Sequence, residues 1–152
     1  MIYEEGRQTA RDQKGAAIHE AGHAIVASAL GLQVGRLEIA IDGDDAKGVA
    51  EIAGSAALGL VDQLAICAAG MEAQRLFSAP THGGAGWADH GMMIALVEGL
   101  PEEDSRTLRY AGHQRAHDIL IQRTNQVERL AERLFAEKRL EPNEVKDLLC
   151  DD

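Results

Sequence analysis

The chain has 152 residues, enough for one domain with a buried core, and 45% of them are hydrophobic, which excludes a disordered polymer. Its formal net charge of −10 disfavours nucleic acid and anionic membrane surfaces as partners, since both need a basic footprint. No apolar run reaches the roughly 20 residues that span a bilayer, and the opening Met1–Arg7 lacks the apolar core of a signal peptide. A soluble cytoplasmic protein without a membrane segment is therefore expected.

Only 3% of the residues are aromatic, so the core must be built from Ala, Leu, Ile, Val and Met. Ala and Leu favour helices, and a mainly α fold is expected over a single domain, residues 1–152. Cys67 sits in an apolar stretch and Cys150 near an acidic terminus; their separation suggests neither a disulfide framework nor a metal knuckle.

Residues 1–10 are polar and read as irregular or as a short lead-in. A helix fits 11–30, with Gly31 placed to end it. Within it lies His19-Glu20-Ala21-Gly22-His23, an H-E-x-x-H segment flanked by Ala, Ile, Val and Leu. Residues four apart on a helix share a face, so two imidazoles at this spacing can bind one metal ion. Glu20 lies about 100° round the helix from His19, where it can act on a metal-activated water without being a ligand. Polar groups are costly to bury alone, so two histidines and a glutamate in an apolar helix need a reason, and zinc supplies one. His113-Gln114-Arg115-Ala116-His117 serves as a contrast: it has the histidine spacing but no glutamate and polar neighbours, and reads as a solvated face with at most a supporting role.

Val34 to Ile41 reads as a strand, alternating from Leu37 to Ile41, and Asp42-Gly43-Asp44-Asp45 is turn chemistry. Gly48 to Ile52 reads as a return strand, giving a small β-hairpin or sheet beside the H-E-x-x-H helix. A second apolar helix fits 57–78 and a Gly-rich loop follows from Ser78 to Trp87. A helix from Ala88 or Asp89 to Glu98 is punctuated by Gly99 and Pro101. Pro101-Glu102-Glu103-Asp104 then opens one long helix reaching Lys138, and a short helix fits 142–149.

A catalytic zinc site takes three protein ligands and keeps one position open. The extended H-E-x-x-H-x-x-G-x-x-H pattern is absent, because Val26 and Ala29 stand where Gly and His would be. Glu72, His82, Asp89 and His90 are the candidates for the third ligand.

These segments together resemble the peptidase domain of the FtsH-type zinc proteases. The motif helix matches at His19 to Ala27, Cys67 to Phe77 is similar to the family's second helix, and Thr81 to Asp89 to its Gly-containing loop. Ala116 to Leu120 and Leu130 to Leu134 resemble its closing helix. The resemblance implies a helical, zincin-like metallopeptidase domain with Zn2+ held by His19, His23 and Asp89, and Glu20 as the catalytic base. The loop is one residue longer than the family's when counted from Gly84; counting from Gly86 puts His90 at the ligand position. Asp89 is preferred because the family's ligand is a carboxylate.

The function expected is a soluble zinc metalloendopeptidase that hydrolyses flexible or unfolded polypeptides. No G-x-x-x-x-G-K-[ST] segment is present, so the peptidase is expected to work without ATP, or with a separate ATPase partner. The resemblance also implies a homo-oligomer. Two alternatives remain: a zinc-binding regulatory protein that keeps the fold without turnover, and an H-E-x-x-H peptidase that cleaves a repressor. A test of the first reading is whether Glu20→Gln retains zinc and loses cleavage.

Overall fold

The computed structural model describes residues 2–39, 48–79 and 86–150, with side chains from Ala10 onward. It is mainly helical with a small three-stranded antiparallel sheet. Helix α1 runs Ile2–Ala29, so the polar opening is helical rather than irregular. Its Glu, Arg, Gln and Ala residues are good helix formers and no proline interrupts them. Gly31, at φ 89°, ends the helix: its N–H bonds Ser28 O and that of Leu32 bonds Ala27 O, which closes the last turn.

Strand β1 (Gln33–Ile39) follows directly and becomes the centre of the sheet, with β2 (Gly48–Ala53) on one side and β3 (Arg139–Leu140) on the other. Both pairings are antiparallel, and the β1–β2 register slips between Val34 and Leu37. Leu37 and Ile39 point into the core, as their alternation with Glu38 requires. The expected turn at Asp42–Asp45 and the end of the strand at Ala40 and Ile41 lie outside the described residues.

Helix α2 (Leu60–Leu76) packs along α1. Ala69 and Ala73 of α2, both fully buried, meet α1 at Gly22. At Gly22 the helices come so close that a Cβ would stand 2.6 Å from that of Ala73 and 2.7 Å from Ala69 O. Small side chains let backbones approach, and this approach brings the H-E-x-x-H face onto α2.

Helix α3 (Trp87–Leu96) leads through a turn into α4 (Glu102–Ile121), which lies across α2. The long helix expected up to Lys138 is two helices. The chain breaks at Gln122 and Arg123, and α5 (Thr124–Glu137) turns to pack on α1 while α4 stays on α2. One straight helix could not follow both surfaces. Helix α5 buries Val127, Leu130, Ala131 and Leu134 at i, i+3, i+4, i+7 spacing. Lys138, in the left-handed region at φ 67°, turns the chain into β3, and α6 (Pro142–Cys150) closes the fold. Buried residues from all six helices, β1 and β3 form one hydrophobic cluster. Among the described residues no helix is long and apolar enough to cross a membrane.

Candidate metal centre

His19 and His23 are both buried on the face of α1 that meets α2. Their rings sit edge to face, with centroids 4.8 Å apart. Each ring is held from behind. His23 Nδ1 donates to the backbone carbonyl of Ile66 at 2.7 Å, and His19 Nδ1 donates to Gln74 Oε1 at 2.7 Å. Both partners belong to α2. Their oxygens can only accept, so the Nδ1 atoms carry hydrogens and the Nε2 atoms face forward as ligand atoms.

What they face is Asp89. It occupies the first turn of α3, where a carboxylate also suits the helix N-terminus. Its Oδ2 lies 2.8 Å from His19 Nε2 and 3.0 Å from His23 Nε2, and the two Nε2 atoms are 3.1 Å apart. Among the described residues this is the one group of three or more His, Cys, Asp or Glu side chains able to surround an ion.

The donor set fits a metal. Three atoms with lone pairs converge, and only a positive charge between them makes that favourable. A proton can serve one pair at a time; a small dication serves all three. Without an ion the Nε2 atoms reach Asp89 favourably only when the rings take a second proton: burial raises the Asp89 carboxyl, but hydrogen bonds and charge from protonated His19 and His23 outweigh it and hold it well below the usual carboxylate range. Burial disfavours protonated His23, yet the Asp89 hydrogen bond and charge, with Glu20 nearby, leave its pKa raised. The pocket therefore favours positive charge by its own construction. Two imidazoles and one carboxylate are ordinary zinc ligands.

The other candidates go elsewhere. His90 is exposed beside Asp89 and does not join the cluster. Glu72 is buried but turns to α4, where its Oε1 accepts from His113 Nδ1 at 2.7 Å, and it pairs with Arg75 Nη1 at 3.2 Å. His82 and Thr81 lie outside the described residues. The solvated-face expectation for His113 is corrected by the same bond: the ring is half-buried because a buried carboxylate on α2 needs a donor. Cys67 keeps its proton, because burial and the nearby Asp89 charge push its thiol up to about 11. Both cysteines are free.

Glu20 is buried beside the histidines, and its side chain lies against the first residue of β2. A Cβ at Gly48 would collide with the Glu20 carboxylate, and would stand 2.6 Å from its Cγ. Burial raises the Glu20 pKa; the charges of His23 and His19 oppose this and Asp89 adds to it. A carboxylate so placed is a better proton acceptor than one in water.

Gly70 plays a similar part for His19. A Cβ there would overlap the imidazole ring, so the ring occupies the space a side chain would take on α2. Sequence reasoning did not single out Gly70, Gly48, Gln74 or the Ile66 carbonyl. A glycine within an Ala-rich helix was the available signal for Gly70; the others act across elements and leave no local pattern.

No protein-family model matches the chain, and no match is found among curated proteins.

Proposed function

We propose that this protein is a zinc-dependent endopeptidase with an FtsH-like, zincin-type arrangement. The observation that carries the reading is the convergence of His19 Nε2, His23 Nε2 and Asp89 Oδ2 within 3.1 Å of one another, with a buried glutamate between the histidines on the same helix.

In this reading His19, His23 and Asp89 hold the ion. Zinc, when bound, polarises a carbonyl and makes water a nucleophile near neutral pH. Glu20 accepts the proton of the attacking water and returns it to the leaving amine. Its burial supports both steps, since a raised pKa makes the carboxylate willing to take the proton. Gln74 and Ile66 O keep the imidazoles turned outward throughout. Strand β2 supplies the way in. Among the described strands it is an edge, paired with β1 alone, and it begins at Gly48 against Glu20. An extended polypeptide added to that edge would run past the base. An edge that takes up an extended backbone suits a flexible or unfolded polypeptide as the substrate class.

The test pairs two measurements on wild type and Glu20→Gln: zinc content by mass spectrometry, and cleavage of casein with and without a chelator. Wild type should cleave, and lose cleavage on chelation. The variant should keep its zinc and not cleave. Zinc binding without cleavage by wild type would favour a regulatory protein built on the same site, and equal cleavage by the variant would remove Glu20 from the mechanism.

A further inference from the structure

Helix α3 carries Asp89, yet it is barely part of the core. Met93 is its one buried residue. On a helical projection Asp89, Met93 and Leu96 form the inward row. The two adjoining rows face outward: Trp87, Gly91 and Ile94, and beside them Ala88, Met92 and Ala95. All six are exposed, Trp87 by 79% and Met92 by 59%. Exposed apolar side chains scattered singly need no explanation, but three large ones on the outward half of one ten-residue helix do.

The charge around the strip decides what covers it. The turn after α3 and the start of α4 hold Glu98, Glu102, Glu103 and Asp104 against Arg106 and Arg109, of which Arg109 pairs with Glu102, so this stretch keeps a net negative charge. The protein as a whole carries −10. A second copy would bring an equally acidic surface onto an acidic one, and an anionic membrane would be repelled in the same way. A polypeptide segment that mixes apolar residues with lysine or arginine satisfies both the strip and its surroundings.

We propose that the outward face of α3 is a docking surface for apolar, cationic polypeptide segments, and that it selects the substrates of the centre that Asp89 helps to form. This rests on the peptidase reading for its purpose, but not for its test.

The chain's one tryptophan lies at the N-terminal end of the strip, so its fluorescence reports occupancy directly. The probe is a synthetic peptide alternating leucine and lysine, titrated into Glu20→Gln protein so that cleavage does not enter the readout. A leucine–glutamate peptide of equal length is the control. The leucine–lysine peptide should shift Trp87 emission to the blue and saturate; the control should not. Met92→Glu should weaken that binding about tenfold, the effect of losing one buried side chain. The same substitution adds negative charge, so a merely electrostatic attraction would grow stronger instead, and that result would overturn the proposal. Equal binding of both peptides, binding of neither, or burial of Trp87 by self-association in sedimentation would also overturn it. None of these outcomes depends on whether wild-type protein cleaves casein.

Discussion

Gly70 and His19 share one space: the imidazole of His19 fills the position a side chain at Gly70 would occupy. The ring is thus clamped between Gln74, which takes its Nδ1 hydrogen, and the bare backbone of α2. Adding a methyl group at Gly70 must move the ring or the helix. Gly70→Ala should leave a folded protein, destabilised by about 1–3 kcal/mol through overpacking. Its zinc affinity should fall by about tenfold or more, because the ring can no longer present Nε2 beside that of His23. Competition against a chromophoric chelator measures the affinity, and thermal unfolding measures the cost. Unchanged affinity would show that the close packing has no part in ligand placement.

Gly48→Ala tests the other close approach. The new Cβ would meet the carboxylate of Glu20, not a histidine. Zinc affinity should therefore change little while cleavage falls by about tenfold or more, since a displaced base loses part of the 10²–10⁴-fold that such a group contributes. Zinc content and the rate on one fluorogenic peptide separate the two effects. A parallel loss of both would place Gly48 in the support of the whole site.

Metal removal should lower stability. An ion that binds only the folded chain stabilises it by about 2.7 kcal/mol when present at a hundred times its dissociation constant. Zinc should accordingly raise the midpoint of thermal unfolding by several degrees over chelator-treated protein. Asp89→Ala should lose most of that increment. If the variant gains as much from zinc as wild type does, the ion sits elsewhere.

The Glu72–His113 pair should contribute to acid stability. Burial raises the Glu72 carboxyl, but the hydrogen bond from His113 and the charges of Arg75, His113 and His117 outweigh it, and the pKa falls below its ordinary 4.5. A lowered pKa means that the ionised form stabilises the fold above the ordinary value, and that this contribution disappears as pH falls through the lowered one. Wild type should lose stability progressively below about pH 4.5. Glu72→Gln should be less stable by about 1–3 kcal/mol near neutrality, through the weakened buried bond. It should also show a flatter dependence on acid. Denaturation midpoints from pH 7 to pH 3 provide the comparison, and parallel curves for the two proteins would refute the assignment.

Local chemistry was legible in the sequence where it was written locally. The H-E-x-x-H spacing, Gly31 as the end of α1, the acid-rich start of α4 and the alternation around Leu37 each correspond to a structural element. The corner between α4 and α5 was not legible. Gln122 and Arg123 are neither proline nor glycine, and the break follows from α4 and α5 packing on different helices. Strand β3 has two residues and no periodicity to read. For the third ligand, residue types alone left Glu72, His82, Asp89 and His90 open. Bringing Asp89 to the histidines takes the seating of α3 against α2, which no spacing rule encodes. Gln74 and Gly70 were silent for the same reason: their roles exist only once two helices touch.

Asp89 sits on the helix that Met93 alone buries, whereas the two histidines sit on a helix enclosed by α2, α5 and the sheet. The three-sided cup therefore has two walls set within the core and one set at its margin. Anything that steadies that wall from outside also steadies the cup, and filling the cup steadies the wall in return. On the proposed reading, thermodynamic reciprocity requires that a polypeptide seated on α3 and an ion seated at Asp89 change each other's affinity by the same factor. On that reading the arrival of a polypeptide and the grip on the ion would form a single balance, with α3 as its beam.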